Sequence, residues 1–324
     1  MKKIIRISGA AILMLSAAAI ISSCNKNRDT TTTPDDTATQ TQNASDEARV
    51  NNELENATGD ANTALSSTSS VSGRLSGMEG TLSLPCDVKL RVDSVNGILT
   101  LTYDDTVYCN GVNWRSGTIQ IQLLNYKAGW KWRTPGATVQ LTFNNYMVKR
   151  HSDSKTITFN GTKTIENVNG GLLRDLPSPD STIVHKIRAN NLTITFDDGT
   201  QRKWSVARTK TWRYMSSLQA YQISVSGDTT FGGLHNVVMW GTTRLNSSFN
   251  LQFTSPIVSN SVCGWYRPTS GVAVLSGISN SISETFGVNQ DGTAYTGSTA
   301  CGAYGYKFNW TNAAGAARQV VLPY

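Results

Sequence analysis

Strand-like segments recur about every 8–15 residues from residue 80 onward, and this repetition limits the fold more than any other feature. Apolar and polar residues alternate at 118–123, 139–143, 192–196 and 249–253. Such alternation is typical of strands with one buried face and one solvated face. The strand-like runs are separated by dipeptides that favour tight turns, namely Asn96-Gly97, Asn160-Gly161, Asp198-Gly199 and Asp291-Gly292. We therefore predict an all-β domain, a large antiparallel meander of about 14–17 strands.

The sequence also limits how these strands are arranged. No helix-like segment of a dozen residues separates neighbouring strands after residue 80, so parallel βαβ units are excluded. A single sheet of this size is expected to curl or split. We predict that residues 77–324 form a curled sheet, a sandwich or an open barrel. Because 39% of the residues are hydrophobic and only 16% are charged, a coiled coil and a wholly disordered chain are both excluded.

One helix is predicted before the β domain, within residues 43–76. Apolar residues recur there every three or four positions and share one helical face between residues 44 and 65; they are Val50, Leu54, Ala57, Ala61 and Leu65. A Ser-rich connector follows at 66–76. The preceding segment, 24–42, is polar and has no large apolar residue, so we predict a disordered tether.

The first 23 residues have the pattern of a signal peptide. Lys2, Lys3 and Arg6 precede an apolar run at 7–21 that is shorter than the roughly 20 apolar residues of a membrane span. The run ends in a branched residue, two small residues and Cys24, which resembles the bacterial lipobox. That resemblance implies cleavage before Cys24 and lipid attachment to it; the alternative is an ordinary signal peptide.

A lipid on Cys24 would hold the chain on the outer membrane, facing either the periplasm or the cell surface. The predicted compartment excludes nucleic acid as a partner, although the net charge is +7. The charge itself is weak evidence for any partner.

The four cysteines after Cys24 form an even set, as is usual in exported proteins with disulfides. Of the three possible connectivities, we predict Cys86–Cys109 and Cys263–Cys301, because each pair flanks one or two predicted hairpins. Each bridge is expected to stabilise the fold by about 3 kcal/mol. No Cys-x-x-Cys spacing supports a zinc site.

Several short motifs in the β region resemble those of a group of uncharacterised exported lipoproteins from Bacteroidetes-type bacteria. They are Leu84-Pro85-Cys86, Tyr103-Asp104, the segment Trp114 to Ile119, Thr142 to Tyr146, Gly161 to Asn167, and Thr299-Ala300-Cys301-Gly302. Gly302 departs from the Asp that usually follows this Cys in the group. The resemblance implies an exported, β-rich lipoprotein, and it carries no activity, cofactor or catalytic residue.

The sequence offers no catalytic or metal-binding motif and predicts no cofactor. The three histidines, His151, His185 and His235, are far apart and lack a His-Glu-x-x-His spacing. No Gly-x-Ser-x-Gly supports a serine hydrolase. Adjacent acids occur at Asp104-Asp105 and Asp197-Asp198, where turn chemistry explains them better than a glycosidase pair.

Aromatic and basic residues give a stronger signal. The segment from Thr106 to Arg174 has nine Lys or Arg and only two acids, and it contains Trp130 and Trp132. A second cluster runs from Arg202 to Tyr214 without an acid, and in an extended strand its residues share one face. The candidate ligand-binding residues are Trp204, Arg208, Lys210, Trp212, Tyr214, Trp130 and Trp132.

Rings beside guanidinium groups can stack a sugar and hold an anion. The alternative is that the rings pack in the core beneath Lys and Arg stems.

These patterns favour a non-enzymatic binding module in the cell envelope. The expected partner is a glycan, a neighbouring envelope protein or a host surface. Two other functions remain open: a carbohydrate-active enzyme that uses acids such as Asp104 and Asp105, and an assembly protein that pairs through an exposed strand edge.

Overall fold

The computed structural model describes residues 36–73, 84–109, 113–176, 181–265, 267–277, 281–311 and 315–324. These residues form two helices followed by one large antiparallel sheet, which confirms the predicted all-β class with a helix near the N-terminus. The predicted signal peptide, Cys24 and most of the predicted tether lie outside the described residues.

The helices and strands follow each other in chain order. The helices are α1 (Asp36–Ser67) and α2 (Ser69–Ser72). The strands of the first half are β1 (Val88–Asp93), β2 (Ile98–Tyr103), β3 (Asn113–Leu123), β4 (Ala137–Arg150), β5 (Thr156–Asn167), β6 (Thr182–Phe196) and β7 (Gln201–Met215). The remaining strands are β8 (Ala220–Gly227), β9 (Thr229–Phe231), β10 (Leu234–Thr242), β11 (Ser248–Asn260), β12 (Ser270–Ser276), β13 (Ile282–Val288), β14 (Gly305–Thr311) and β15 (Ala317–Pro323).

The strands form a single 15-stranded sheet in which neighbours in sequence are mostly neighbours in space. The sheet curls with a barrel-like closure, as expected for so many twisted strands. The strand count agrees with the prediction, and the described strands make one sheet rather than the two of a sandwich.

Helix α1 fills the interior of the curled sheet. Its predicted apolar face is fully buried, and every residue from Ser45 to Thr68 is buried or half-buried. Ser69, the next residue, is exposed. The helix begins at Asp36 and therefore takes in the last residues of the predicted tether. Helix α2 occupies the start of the predicted Ser-rich connector.

One predicted turn is wrong. Asn160-Gly161 lies inside β5, where the register with β4 and β6 shifts at a bulge. Gly161 has φ of 127°, so its backbone freedom bends a strand there rather than closing a hairpin. The other three turn dipeptides lie between consecutive strands, as predicted.

An inserted hairpin interrupts one strand position of the sheet. Strands β8 and β10 each pair with both β7 and β11, so they act as two pieces of one strand. Between them, β9 pairs with the start of β10 through the turn Gly232-Gly233, where both φ angles are positive. The residues from Asp228 to Asn236 therefore form a hairpin that leaves the sheet and returns to it.

The two predicted disulfides are present. Cys86 is bonded to Cys109 across the β1–β2 hairpin, and Cys263 is bonded to Cys301 between the ends of β11 and β14. Both bridges therefore fix loops beside the sheet rather than residues within its strands.

Candidate functional site

The aromatic and basic residues predicted on one face of β7 do share a face, but that face is the interior of the sheet. Trp204 and Trp212 have 0% and 5% of their surfaces exposed. Arg208 and Lys210 are buried on the same side of the strand. These four residues therefore pack in the interior, as the alternative prediction has it, and their burial closes them off from a ligand in solvent.

Helix α1 supplies the counter-charge for these buried cations. The Glu55 carboxylate accepts a hydrogen bond from Lys210 Nζ at 2.7 Å and is also paired with Arg208. Burial by itself raises the pKa of Glu55, but the neighbouring cations outweigh burial and hold that pKa well below its ordinary value. The basic residues of β7 are thus structural partners of the helix.

The same pairing of helix acids with cations of the β domain repeats along α1, from the strands and from the turn between β10 and β11. The further ion pairs are Asp46–Arg244, Glu47–Arg202 and Asp60–Arg115. Removing one partner of a buried pair costs about 3–5 kcal/mol, because the other charge is left without compensation. The charged interior therefore fixes the position of the helix.

Lys163 on β5 is the weakest-paired cation of this interior. Its side chain is fully buried, and its ammonium donates a hydrogen bond to Thr58 Oγ1 at 2.7 Å. Burial is the main reason that the pKa of Lys163 falls to about 7; Glu55 opposes the fall, while Arg208 and Lys210 add to it. Lys163 is therefore poised to lose its proton near neutral pH.

Of the remaining predicted ligand-binding residues, Trp132 is joined to the buried cluster of β7 through His185, which contacts both Trp132 and Trp212. Trp132 is 2% exposed, and its backbone N–H donates to Val71 O in helix α2. Trp130 is partly buried against the core. Tyr214 packs on Tyr221 with ring centroids 5.4 Å apart. The structure does not bring these residues together into one open site.

The histidines and paired acids have structural explanations. His185 is buried between Trp132 and Trp212, and burial lowers the pKa of His185 to about 3. Asp104 accepts hydrogen bonds from Thr106, and these bonds with the Lys89 contact lower its pKa to about 2.

Asp198 makes the same turn contacts with Thr200. Among the described residues, no group of three or more His, Cys, Asp or Glu side chains could hold a metal ion.

An open site lies on the outer face of the sheet, beside the inserted hairpin. We call it the hairpin groove. It has a volume of about 320 Å³ and is lined by Thr162, Thr164, Arg188, Ala189, Asn190, Val206, Ala207, Thr229 and Trp240. This volume falls within the range of small-ligand sites, about 300–1,000 Å³.

An aromatic pair lies at the side of the hairpin groove, and one of its two rings, Trp240, belongs to the lining. Phe231 stacks on Trp240, with ring centroids 5.3 Å apart and an interplanar angle of 24°. Phe231 is 41% exposed, so the ring pair is open to solvent. Gly227 lies at the base of the hairpin, where a side chain does not fit because a Cβ would lie 2.0 Å from Asn236 O.

Polar side chains form much of the remaining lining of the hairpin groove. Arg188 is paired with Asp228, and their side chains are 50% and 23% exposed. Thr162, Thr164 and Asn190 add hydroxyl and amide groups. Among the described residues, the lining contains no Asp or Glu. The groove can stack a ring and hydrogen-bond its substituents, but its lining lacks the two facing acids of a glycosidase.

A second depression, of about 500 Å³, lies over the ends of β13, β14 and β15. Its lining includes Trp310 and Arg318, but Trp310 is partly buried against the core. It therefore offers polar groups without a stacked aromatic pair.

Sequence reasoning missed Trp240 and Phe231. A bulge between Val237 and Met239 reverses the alternation of β10, so the face of Trp240 could not be assigned from period two. The Gly232-Gly233 turn was the available signal, since it marks a hairpin that presents its neighbours to solvent.

No family model, curated protein or solved structure matches this chain. The resemblance to exported Bacteroidetes-type lipoproteins therefore stays a prediction, as does lipid attachment at Cys24. Within the described part of the chain, no helix combines the length and the apolar character that a membrane crossing requires.

Proposed function

We propose that this chain is a cell-envelope lipoprotein whose β domain binds a glycan, without catalysis, in the hairpin groove. The observation that carries the proposal is the solvent-open Phe231–Trp240 ring pair beside hydroxyl, amide and guanidinium groups. Flat rings stack on the apolar face of a sugar, while the polar groups bind its hydroxyls.

The lipid anchor gives this binding a location. Acylation of Cys24 would keep the domain at the outer membrane, where envelope and host glycans are present. A Cys24→Ser variant should move from the membrane fraction to the soluble fraction, and mass spectrometry should find acyl chains only on the parent protein.

Binding is tested on a glycan array with the purified protein. Trp240→Ala and Phe231→Ala should each lower the signal for the bound glycan about tenfold, since stacking contributes on the order of 1 kcal/mol or more. Leu218→Ala is a matched control, because Leu218 is 42% exposed and lies in the turn between β7 and β8. Absence of any glycan signal, or equal signals for folded variants and parent, would refute the proposal.

A second function, assembly by strand addition, is favoured by the edge strand β15. It is the last strand of the sheet, and Arg318 is its one charged residue. The opposite edge, β1, carries Lys89, Arg91 and Asp93, charges of the kind that protect edges from pairing. Gel filtration of a Val321→Lys variant tests this function: loss of a larger species would support it.

A further inference from the structure

A cluster of three rings lies at the ends of β3 and β4, away from the strands that line the hairpin groove. We call Tyr108, Trp114 and His151 the ring triad. Each pair of rings is in contact, with centroid distances of 5.0, 5.1 and 5.0 Å. Tyr108 is 40% exposed and His151 is also exposed, so the cluster is open to solvent.

The ring triad carries a cation of its own. Lys149 pairs with Trp114 across the two strands, and its ammonium lies 5.6 Å from the Trp114 ring centroid. Within the described residues, Lys149 has no carboxylate within ion-pair distance, whereas the neighbouring Arg150 is paired with Asp153. The positive charge beside the rings is therefore available to a ligand.

The surrounding sequence has the same sign. The ring triad belongs to the basic stretch that starts at Thr106, and exposed Lys155 follows the turn after β4. Asp105, also exposed, precedes Tyr108 by three residues. The local balance still favours an anion over a cation.

Covalent and hydrogen bonds fix the backbone beside Tyr108 and around His151. Tyr108 precedes Cys109, which is bonded to Cys86. The turn that carries His151 is closed by hydrogen bonds from Ser154 N–H to Arg150 O and from Arg150 N–H to Lys155 O. A preorganised site loses less entropy when it binds.

We infer that the ring triad and Lys149 form a second binding site, for a saccharide that carries an anionic group. A ring face of the triad stacks the sugar, and the Lys149 ammonium pairs with its carboxylate or phosphate. This inference does not depend on the hairpin groove, because the two sites share no residue.

A saccharide fits these groups better than a membrane surface does. Membrane-seeking patches present protruding apolar side chains for insertion. Here the three rings contact one another and combine with a hydroxyl, an imidazole and an ammonium, which are hydrogen-bonding groups suited to sugar oxygens.

The test uses the purified protein and four probes: polygalacturonate, a phosphomannan, neutral dextran and vesicles of phosphatidylglycerol. We expect binding to at least one of the two anionic polysaccharides and not to dextran. Lys149→Gln should weaken that binding by about threefold to tenfold, from the loss of one exposed charge contact. Trp114→Ala should weaken it by at least as much.

Two controls separate this site from others. Lys127→Gln removes an exposed lysine outside the ring triad and should leave binding unchanged. Leu218→Ala, which removes an exposed side chain in the turn between β7 and β8, should also leave it unchanged. If Trp114→Ala does not fold, Lys149→Gln and His151→Gln decide the matter, because both change exposed or partly exposed side chains.

Three results would overturn the inference. One is a parent protein that binds neither anionic polysaccharide. Another is binding to the vesicles alone, which would indicate a membrane contact. The third is unchanged affinity in folded Lys149→Gln and His151→Gln variants.

Discussion

Tryptophan and arginine lie on both faces of this sheet, and the surroundings of the two faces differ. On β7, Trp204 and Arg208 face the interior, where Glu55 of α1 pairs with the guanidinium. In the hairpin groove, Trp240 and Arg188 face solvent, and the ion pair with Asp228 is partly exposed. The comparison teaches that residue type alone does not identify a binding surface. Whether such residues can contact a ligand depends on the face of the strand that they occupy and on the element that covers that face.

The largest expected difference in stability is between variants of the two tryptophans, Trp204 and Trp240. Trp204→Ala should lower the free energy of unfolding by about 3–5 kcal/mol, because it leaves a cavity in the core. Trp240→Ala should lower it by about 1 kcal/mol or less, because the ring is partly solvated. Urea unfolding followed by circular dichroism measures both values. Equal losses would show that the two sites do not differ as described.

The next largest expected loss of stability comes from breaking the buried ion pairs of Glu55. Glu55→Ala leaves Arg208 and Lys210 buried without their shared carboxylate, so a loss of about 3–4 kcal/mol is expected. Asp105→Ala is the control, because that acid is exposed and should change stability by about 0.5 kcal/mol at most. The same urea titration reports both, and a loss below about 1 kcal/mol for Glu55→Ala would contradict a structural role.

Lys163 predicts a pH dependence with a defined sign. Its folded-state pKa, about 7, lies below the ordinary value of 10.5, so the unfolded chain binds more protons between these values. This residue's contribution to stability should therefore rise as the pH increases from about 7 towards 10.5. Lys163→Met should be more stable than the parent near pH 7, and the gap should narrow at higher pH. A gap that stays constant between pH 6 and about 10 would refute the assignment.

Glu284 on β13 should behave in the opposite way. It is buried, neither carboxyl oxygen has a hydrogen-bond partner among the residues that the structure describes, and burial raises its pKa well above the ordinary value. The stability that the protonated form provides is present below about pH 4.5 and is lost as the pH rises through the folded-state pKa. Glu284→Gln should remove that loss, which thermal unfolding at a series of pH values will show.

The smallest effect belongs to an exposed pair. Lys89 and Asp104 are 2.9 Å apart, but the lysine side chain is 77% exposed. Lys89→Ala should change stability by about 0.5 kcal/mol or less. A larger loss in the urea titration would show that exposed charges of this sheet matter more than those of most proteins.

Much of the fold could be predicted from local patterns. Period-two alternation located the strands, and spacing of three and four residues located the helix that contains Val50 and Leu54. The disulfide pairing followed from the hairpins that each pair of cysteines flanks. Each of these features depends on residues that are close in the sequence, or on apolar residues that recur along one face of a helix or strand.

The buried charges could not be predicted in the same way. The face shared by Arg208 and Lys210 was predicted correctly, but its direction depends on Glu55, which lies 153 residues from Arg208 in the chain. The dipeptide Asn160-Gly161 suits a bulge as well as a turn, so its place inside β5 could not be told from the sequence. Long-range pairing and bulges leave no distinct local signal.

The split strand has a consequence for how such a chain can diversify. Strands β8 and β10 each pair with both β7 and β11, so most of the ladder on either side does not depend on the residues between them. Residues 229–236 can therefore be exchanged for a different loop while most of the scaffold stays intact. Recognition could change at that one insertion point, in the way that variable loops alter an antibody without altering its framework.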